Sequence, residues 1–173
     1  MKNHKEPTAQ LVRAFSRHML DYYDLEVVQK TDSAFMKLLA WVLNTIGVMD
    51  KKAFMENAST TIGNKIYLPF VLGEASDKFT FPNQISILTH ECQHKVQRLK
   101  DGRGFYFSYL FSSAKRAAYE ADGYRVNLEL FFWYTGHLLN INAISTAIQK
   151  NYGCTKADAE MAKTILERAS RLV

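Results

Sequence analysis

The sequence predicts an α+β fold, in which a mainly helical domain carries a small sheet directly before one long helix. Apolar side chains recur at helical spacing near both ends of the chain, and a short stretch rich in β-branched residues lies between them. The 173 residues contain no internal repeat and no Pro/Gly-rich linker. We therefore expect a single domain over residues 1–173.

Two helices are predicted before the sheet. The first covers about Thr8 to Asp24, where apolar residues fall on one helical face. The second is expected to begin at Thr31-Asp32-Ser33, a cluster of good N-cap residues, and to end at Gly47. We interpret both helices as core elements that support the rest of the domain.

The sheet is predicted around residues 60–68. Two β segments flank Gly63-Asn64, which is a suitable two-residue hairpin turn. Pro69 follows, and proline is confined to the ends and edges of strands. A third short strand is expected at Lys78–Phe81, immediately before the long helix.

Four helices are predicted after the sheet. The first covers about Asn83–Lys100, and the second extends from the possible caps Ser112-Ser113 through Glu120 to about Tyr134. The last two cover about Leu138–Asn151 and Thr155–Leu172. The first is closed by Asp101-Gly102, and Gly136 ends the second. The aromatic stretch Phe105–Phe111 lies between them, and the sequence leaves open whether it is a lid, a docking surface or core.

Composition and charge narrow the class of protein. A charged fraction of 23% excludes the highly charged, weakly hydrophobic composition of disordered chains. The two cysteines form neither a disulfide framework nor a CxxC zinc pattern. No apolar stretch is long enough for a bilayer span, and the N-terminus does not resemble a signal peptide. We expect a soluble cytoplasmic protein without a membrane partner.

The basic residues are scattered, and their strongest concentration comprises Lys95, Arg98, Lys100 and Arg103. We interpret this concentration as a solvated helix end, where positive charge is favourable near the helix dipole. The alternative is a surface patch that binds nucleic acid or an acidic partner. That alternative is less favoured because no nucleic-acid motif accompanies the charge.

The residues that indicate chemistry are His90-Glu91-Cys92-Gln93-His94, an HExxH motif on a predicted helix. Positions i and i+4 lie on one face, so His90 and His94 can bind the same zinc ion. Glu91 lies about 100° around the helix, where it can act as a base towards a water at the metal. The alternative is an amphipathic helix with two exposed histidines.

The opposite face of this helix is expected to pack into the core. It carries an apolar stripe that comprises Ile85, Leu88, Cys92, Val96 and Leu99. Cys92 is therefore interpreted as a small buried hydrophobe, since free cysteine is often buried. We do not expect it to bind metal or to act as a nucleophile.

A catalytic zinc site needs a third protein ligand. The downstream candidates are Glu120, Asp122, Glu129 and His137. Glu120 is favoured because it is an acid within an apolar helix, and a buried carboxylate is costly unless it is paired. The alternative for Glu120 is a surface salt bridge, for instance with Arg116 or Arg125.

The HExxH motif followed by a helix with Tyr119-Glu120-Ala121-Asp122 resembles the gluzincin clan of zinc peptidases. The chain is most similar to the compact minigluzincins and to small metallopeptidases predicted in phage and bacterial genomes. The resemblance covers roughly Thr60 to Leu130. It implies a zincin-like fold, Zn²⁺ held by His90, His94 and Glu120, and Glu91 as catalytic base. It also implies an edge strand that aligns an extended peptide substrate by β-augmentation.

The expected function is thus zinc-dependent hydrolysis of peptide bonds, with Glu91 activating the attacking water. Tyr124 and His137 are candidates for stabilising the tetrahedral intermediate, although Tyr124 suits the core equally well. One alternative is a non-catalytic, zinc-stabilised binding or regulatory protein that contacts nucleic acid. A second alternative is a helical interaction domain without metal.

Overall fold

The computed structural model describes residues 6–45 and 50–173. The fold is α+β, mostly helical with one three-stranded sheet among the described residues, as the sequence predicts. The chain divides into two compact units, Met1–Lys95 and Val96–Val173. The boundary between the units falls inside the long helix that carries the HExxH motif.

The first unit contains the sheet and the helices that surround it in sequence. Its helices are α1 (Ala9–Tyr23), α2 (Ala34–Thr45), α3 (Lys51–Asn57) and the first part of α4 (Phe81–Asp101). Its strands are β1 (Glu26–Gln29), β2 (Thr60–Ile62) and β3 (Lys65–Leu68), and a short 3-10 helix covers Lys30–Asp32.

Side-chain caps fix where these helices begin. The Thr8 hydroxyl accepts a hydrogen bond from the Leu11 amide at the start of α1. Ser33 accepts in the same way from the Met36 amide, so α2 begins at the predicted cluster. The predicted end of α2 at Gly47 lies outside the described residues. Helix α3 was not predicted from the sequence. It begins after Asp50, whose carboxylate accepts a hydrogen bond from the Ala53 amide.

The sheet has the strand order β1-β3-β2. Strands β2 and β3 form the predicted antiparallel hairpin, and Gly63 adopts the positive φ of +62° that its turn requires. Strand β1 pairs with β3 in parallel, with Val27 opposite Ile66. The sheet therefore consists of a local hairpin and one strand from much earlier in the chain.

The predicted third strand at Lys78–Phe81 is wrong, because Phe81 already begins α4. Two features explain the difference. Pro82 has no amide hydrogen for a strand ladder, but its fixed φ suits the first turn of a helix. The fully buried Gln84 side chain also donates to the carbonyl of Phe79, so this segment is hydrogen-bonded without a strand partner.

One core cluster of the first unit joins α1, the sheet and the first part of α4. Its buried members are Leu25, Ile66, Leu68, Phe70, Phe79, Leu88 and Cys92. Cys92 is 1% exposed, which confirms its prediction as a buried apolar residue. Leu99 was predicted on the same stripe but is 66% exposed, so that prediction is wrong. Leu99 lies in the last turn of α4, where exposed Lys100 and Asp101 follow it.

The second unit is helical throughout its regular structure. It contains the end of α4 and helices α5 (Gly104–Phe111), α6 (Ser113–Thr135), α7 (Ile141–Asn151) and α8 (Lys156–Ser170). The last three correspond to the predicted helices, with Ser112, Asn140 and Thr155 as N-caps and Gly136 ending α6 at φ +72°. Their core is a cluster that includes Ala117, Ala121, Leu128, Ile144, Ile148 and Leu166. In residues 6–45 and 50–173, no helix combines the length and the apolar character needed to cross a membrane.

Candidate metal centre

Helix α4 presents His90 and His94 on the same face, as the i, i+4 spacing requires. Their ring centroids are 4.8 Å apart, and the rings are nearly perpendicular at 81°. His90 is 6% exposed and His94 is 8% exposed. The alternative of two exposed histidines on an amphipathic helix is therefore wrong.

Glu120 lies in the middle of α6 and is completely buried. This burial contradicts the alternative that Glu120 forms a surface salt bridge. The two arginines considered for that bridge have other partners. Arg116 donates to backbone carbonyls, whereas Arg125 pairs with the carboxylates of Asp122 and Glu129.

The three predicted ligands form one group in the structure. One imidazole nitrogen each of His90 and His94 and one carboxylate oxygen of Glu120 all lie within 4.8 Å of one another. Tetrahedral ligands with bonds of about 2.0–2.2 Å are about 3.4 Å apart. The group can therefore hold a metal ion after side-chain movements of about 1 Å, which rotations about χ angles can supply.

The other candidates for the third ligand have different surroundings. Asp122 accepts hydrogen bonds from Gln97 and Arg125, and Glu129 pairs with Arg125 on the surface. His137 is exposed in the segment after α6. Within the described part of the chain, none of these three residues belongs to the group that can hold a metal.

Glu91, the predicted base, is held by a residue of the sheet. Its side chain is only 5% exposed, and Oε2 accepts a hydrogen bond of 2.7 Å from the hydroxyl of Thr61 on β2. A single charge-assisted hydrogen bond of this kind is shorter and stronger than a neutral one. Thr61 was not predicted as part of the site, because a threonine in a strand has no sequence pattern that locates its partner.

A buried lysine lies close to this part of the first unit. Lys30 is 0% exposed, and its Nζ donates to the carbonyls of Phe54 and Ala58 at 2.9 and 2.8 Å and to Thr60 Oγ1 at 3.1 Å. Burial lowers the pKa of Lys30 to about 7, while the negative charge of Glu91 acts in the opposite direction. No sequence pattern marks Lys30 as buried, since lysines are usually exposed.

Tyrosines surround Glu120 in the second unit. The hydroxyl of Tyr109 donates to Glu120 Oε1 at 2.5 Å. Burial raises the pKa of Tyr152 well above its usual value, and the charge of Glu120 raises it further. Tyr124, a predicted candidate for stabilising the intermediate, forms a side-chain hydrogen bond with Tyr152. The role expected for Tyr124 stays a prediction, as does that of His137.

Lys95 does not belong to a basic surface patch. It is 5% exposed, and its Nζ donates to Asn64 Oδ1 at 2.7 Å, next to the hairpin turn. Lys95 is therefore buried and does not contribute to the predicted basic concentration at the surface. Lys100 and Arg103 of that concentration are exposed. The helical repeat explains the difference. Lys95 is one residue after His94 and therefore lies about 100° further around α4, on the face that meets the hairpin.

Comparisons of the chain with protein-family models, with curated proteins and with solved structures found no match.

Proposed function

We propose that the protein is a zinc-dependent peptidase in which His90, His94 and Glu120 hold the metal and Glu91 is the base. The single observation that carries this proposal is the grouping of the three ligand atoms within 4.8 Å. The peptidase activity is inferred from the HExxH motif, whose glutamate follows the first histidine directly.

The donor set fits zinc. Two imidazoles and one carboxylate are a ligand combination of catalytic zinc sites, in which the fourth position remains for water or substrate. The burial of Glu120 supports a cation at this point, because a carboxylate out of contact with water costs several kcal/mol unless it is compensated. When bound, zinc supplies Lewis acidity towards a water molecule and towards the carbonyl oxygen of a peptide.

Glu91 supplies the proton transfers. It neighbours His90 in sequence, and its carboxylate is fixed by Thr61 on β2. In the proposed reaction, Glu91 takes a proton from the attacking water and passes it to the amide nitrogen that leaves. Fixing the carboxylate in one orientation lowers the entropic cost of reaching the reactive arrangement.

The sheet offers a way to align a peptide substrate. Strand β2 is at one edge of the strand order β1-β3-β2, and its Thr61 contacts the proposed base. An extended peptide that pairs with an edge strand gains backbone hydrogen bonds, whatever its side chains are. We therefore propose β2 as the strand along which the substrate lies.

Elemental analysis of the purified protein tests the metal site. We expect about one zinc per chain, with loss of zinc in His94→Ala and in Glu120→Ala. Two matched variants serve as controls: His137→Ala removes an exposed histidine, and Glu129→Ala removes an exposed carboxylate of the same helix. Wild-type protein that stays free of zinc after reconstitution would refute the proposal.

Hydrolysis is tested separately with a quenched fluorescent peptide library and zinc-loaded protein. Cleavage by the wild type, with no cleavage by Glu91→Gln, supports the peptidase. Zinc bound at one per chain without cleavage of any library member would instead favour the non-catalytic, zinc-stabilised binding protein. The inward position of Lys95 weakens the nucleic-acid version of that alternative, since fewer basic groups reach the surface.

A further inference from the structure

Helix α5 has one tyrosine directed at the buried carboxylate of α6. The Tyr109 hydroxyl is 2.5 Å from Glu120 Oε1, and Tyr109 is eleven residues before Glu120 in sequence. An ionised carboxylate accepts hydrogen bonds and donates none, so the phenol is the donor. Tyr109 cannot be distinguished by sequence from the other rings of the aromatic stretch Phe105–Phe111.

We propose that Tyr109 is the positioning residue of the metal ligand Glu120, an inference that rests on the proposed zinc site. The phenol hydrogen bond fixes the carboxylate in the orientation that binds the metal. Residues that hydrogen-bond to a metal ligand orient that ligand and tune its basicity. Their loss typically weakens metal affinity about 10–100-fold.

The chemical type of the donor suits this role. A carboxylate has two oxygens and about four lone-pair positions, so it can accept from Tyr109 and still bind an ion. The phenol is neutral and therefore leaves the negative charge of Glu120 for the cation. A lysine or arginine in its place would neutralise the carboxylate and repel the metal.

Arg116, one turn before Glu120 on α6, hydrogen-bonds to the backbone around Tyr109. The guanidinium donates to the carbonyl of Tyr109 at 2.5 Å and to that of Leu110 at 3.2 Å. It also donates to the carbonyl of Tyr152 at 2.7 Å. Arg116 thus joins the end of α5, next to the phenol, to the helix that carries Glu120.

The ring of Tyr109 is restrained as well. It lies 5.9 Å from the ring of Phe105, measured between centroids, and Phe105 is 4% exposed. An aromatic contact at this distance limits the orientations that the phenol can adopt. The hydroxyl and the ring are therefore held at the same time, so Tyr109 is preorganised before metal binds.

The test compares the zinc affinity of wild type, Tyr109→Phe and Tyr22→Phe, measured by competition with a chromophoric chelator. Tyr109→Phe removes only the hydroxyl and keeps the ring. Tyr22→Phe is the matched control, because Tyr22 is a 73% exposed tyrosine of α1. We expect the zinc dissociation constant to rise at least about tenfold in Tyr109→Phe and to stay unchanged in Tyr22→Phe.

A spectroscopic measurement separates positioning of the ligand from a general loss of stability. Cobalt(II) replaces zinc, and its visible absorption reports the arrangement of the ligands. We expect the absorption bands to change in Tyr109→Phe and to remain as in wild type in Tyr22→Phe. The thermal midpoint of each metal-free protein shows whether the fold is retained.

The outcomes distinguish this inference from the proposed function. A wild type that binds zinc, with Tyr109→Phe within about tenfold of its affinity or with an unchanged cobalt spectrum, overturns the role of Tyr109 and leaves the zinc site intact. A wild type that binds no zinc overturns both. A loss of at least about tenfold with an altered cobalt spectrum supports the role of Tyr109.

Discussion

Thr61 Oγ1 lies 2.7 Å from Glu91 Oε2 and 3.1 Å from the backbone oxygen of the same glutamate. A hydroxyl has one proton, so it donates to one of these acceptors at a time. The shorter distance and the charge of the carboxylate favour Oε2. An edge strand and the HExxH helix are thereby joined through the side chain that we propose as the base.

Thr61→Val should lower hydrolysis without loss of zinc. Valine keeps the β-branched shape but cannot donate, and a hydrogen bond to a charged group is worth about 1.5–3 kcal/mol. We expect kcat to fall about tenfold, with KM and zinc content unchanged. Thr61→Ser keeps the hydroxyl and is the control that should retain most of the activity. Equal losses in the valine and serine variants would contradict a role for the hydroxyl.

Glu91→Gln should separate metal binding from catalysis. The amide has nearly the same shape but cannot accept the proton of the attacking water. We expect zinc content to stay near that of wild type and hydrolysis to fall about 100-fold or more. Both are measured on the same preparation, by elemental analysis and by cleavage of a fluorescent peptide. Full activity in Glu91→Gln would show that another residue is the base.

Local patterns of the sequence predicted the hairpin and most helices, whereas strand β1 was missed. The turn at Gly63-Asn64 and the caps of α6 to α8 depend on residues a few positions apart. Strand β1 has only the four residues Glu26–Gln29, and its partner β3 comes much later in the chain. No local pattern specifies such a pairing, because the contacts that stabilise the strand are all distant in sequence.

The residues of the candidate site likewise divide into those that a local sequence pattern predicts and those that depend on contacts distant in sequence. His90, Glu91 and His94 share one helical turn, so their spacing alone relates them. Glu120 was predicted as a ligand for a different reason, because burying a carboxylate in an apolar helix is costly unless a partner compensates its charge. Thr61, Lys30 and Tyr109 escaped detection because each contacts its partner through tertiary structure, and none belongs to a motif.

Lys30 should make the stability of the protein depend on pH. Its pKa is about 7 in the folded protein, below its usual value of 10.5. The unfolded chain therefore binds more protons between about pH 7 and pH 9, and the free energy of unfolding should rise with pH by up to about 1.4 kcal/mol per unit. In the upper part of this window the cysteines of the unfolded chain, whose usual pKa is about 8.5, also lose protons and oppose the rise, so the rise is steepest between about pH 7 and pH 8.

Chemical denaturation at several pH values measures this dependence. Lys30→Met, which keeps much of the apolar stem, should abolish the rise between about pH 7 and pH 9. The variant should also be less stable overall, because the carbonyls of Phe54 and Ala58 and the hydroxyl of Thr60 lose a donor. An unchanged rise in Lys30→Met would assign the pH dependence to another group.

Both cysteines should resist alkylation in the folded protein. Burial raises the pKa of Cys92 to about 12, and burial also raises the pKa of Cys154. The thiolate is the reactive form, so little of it exists at about pH 8 in either residue. We expect no modification by iodoacetamide under native conditions and modification of both thiols in guanidinium chloride, as read by mass spectrometry. Rapid native labelling of Cys92 would contradict its burial.

The parallel pairing of β1 with β3 has a consequence for the chain during its synthesis. Glu26 pairs with Lys65, so β1 precedes its partner by 39 positions. At about 5–20 residues per second, the ribosome needs about 2–8 s to add those residues. During this interval Val27 and Val28 have no β3 to pair with, and an unpaired apolar segment is a template for wrong pairing. The nascent chain, more than the finished protein, is therefore the form most exposed to aggregation.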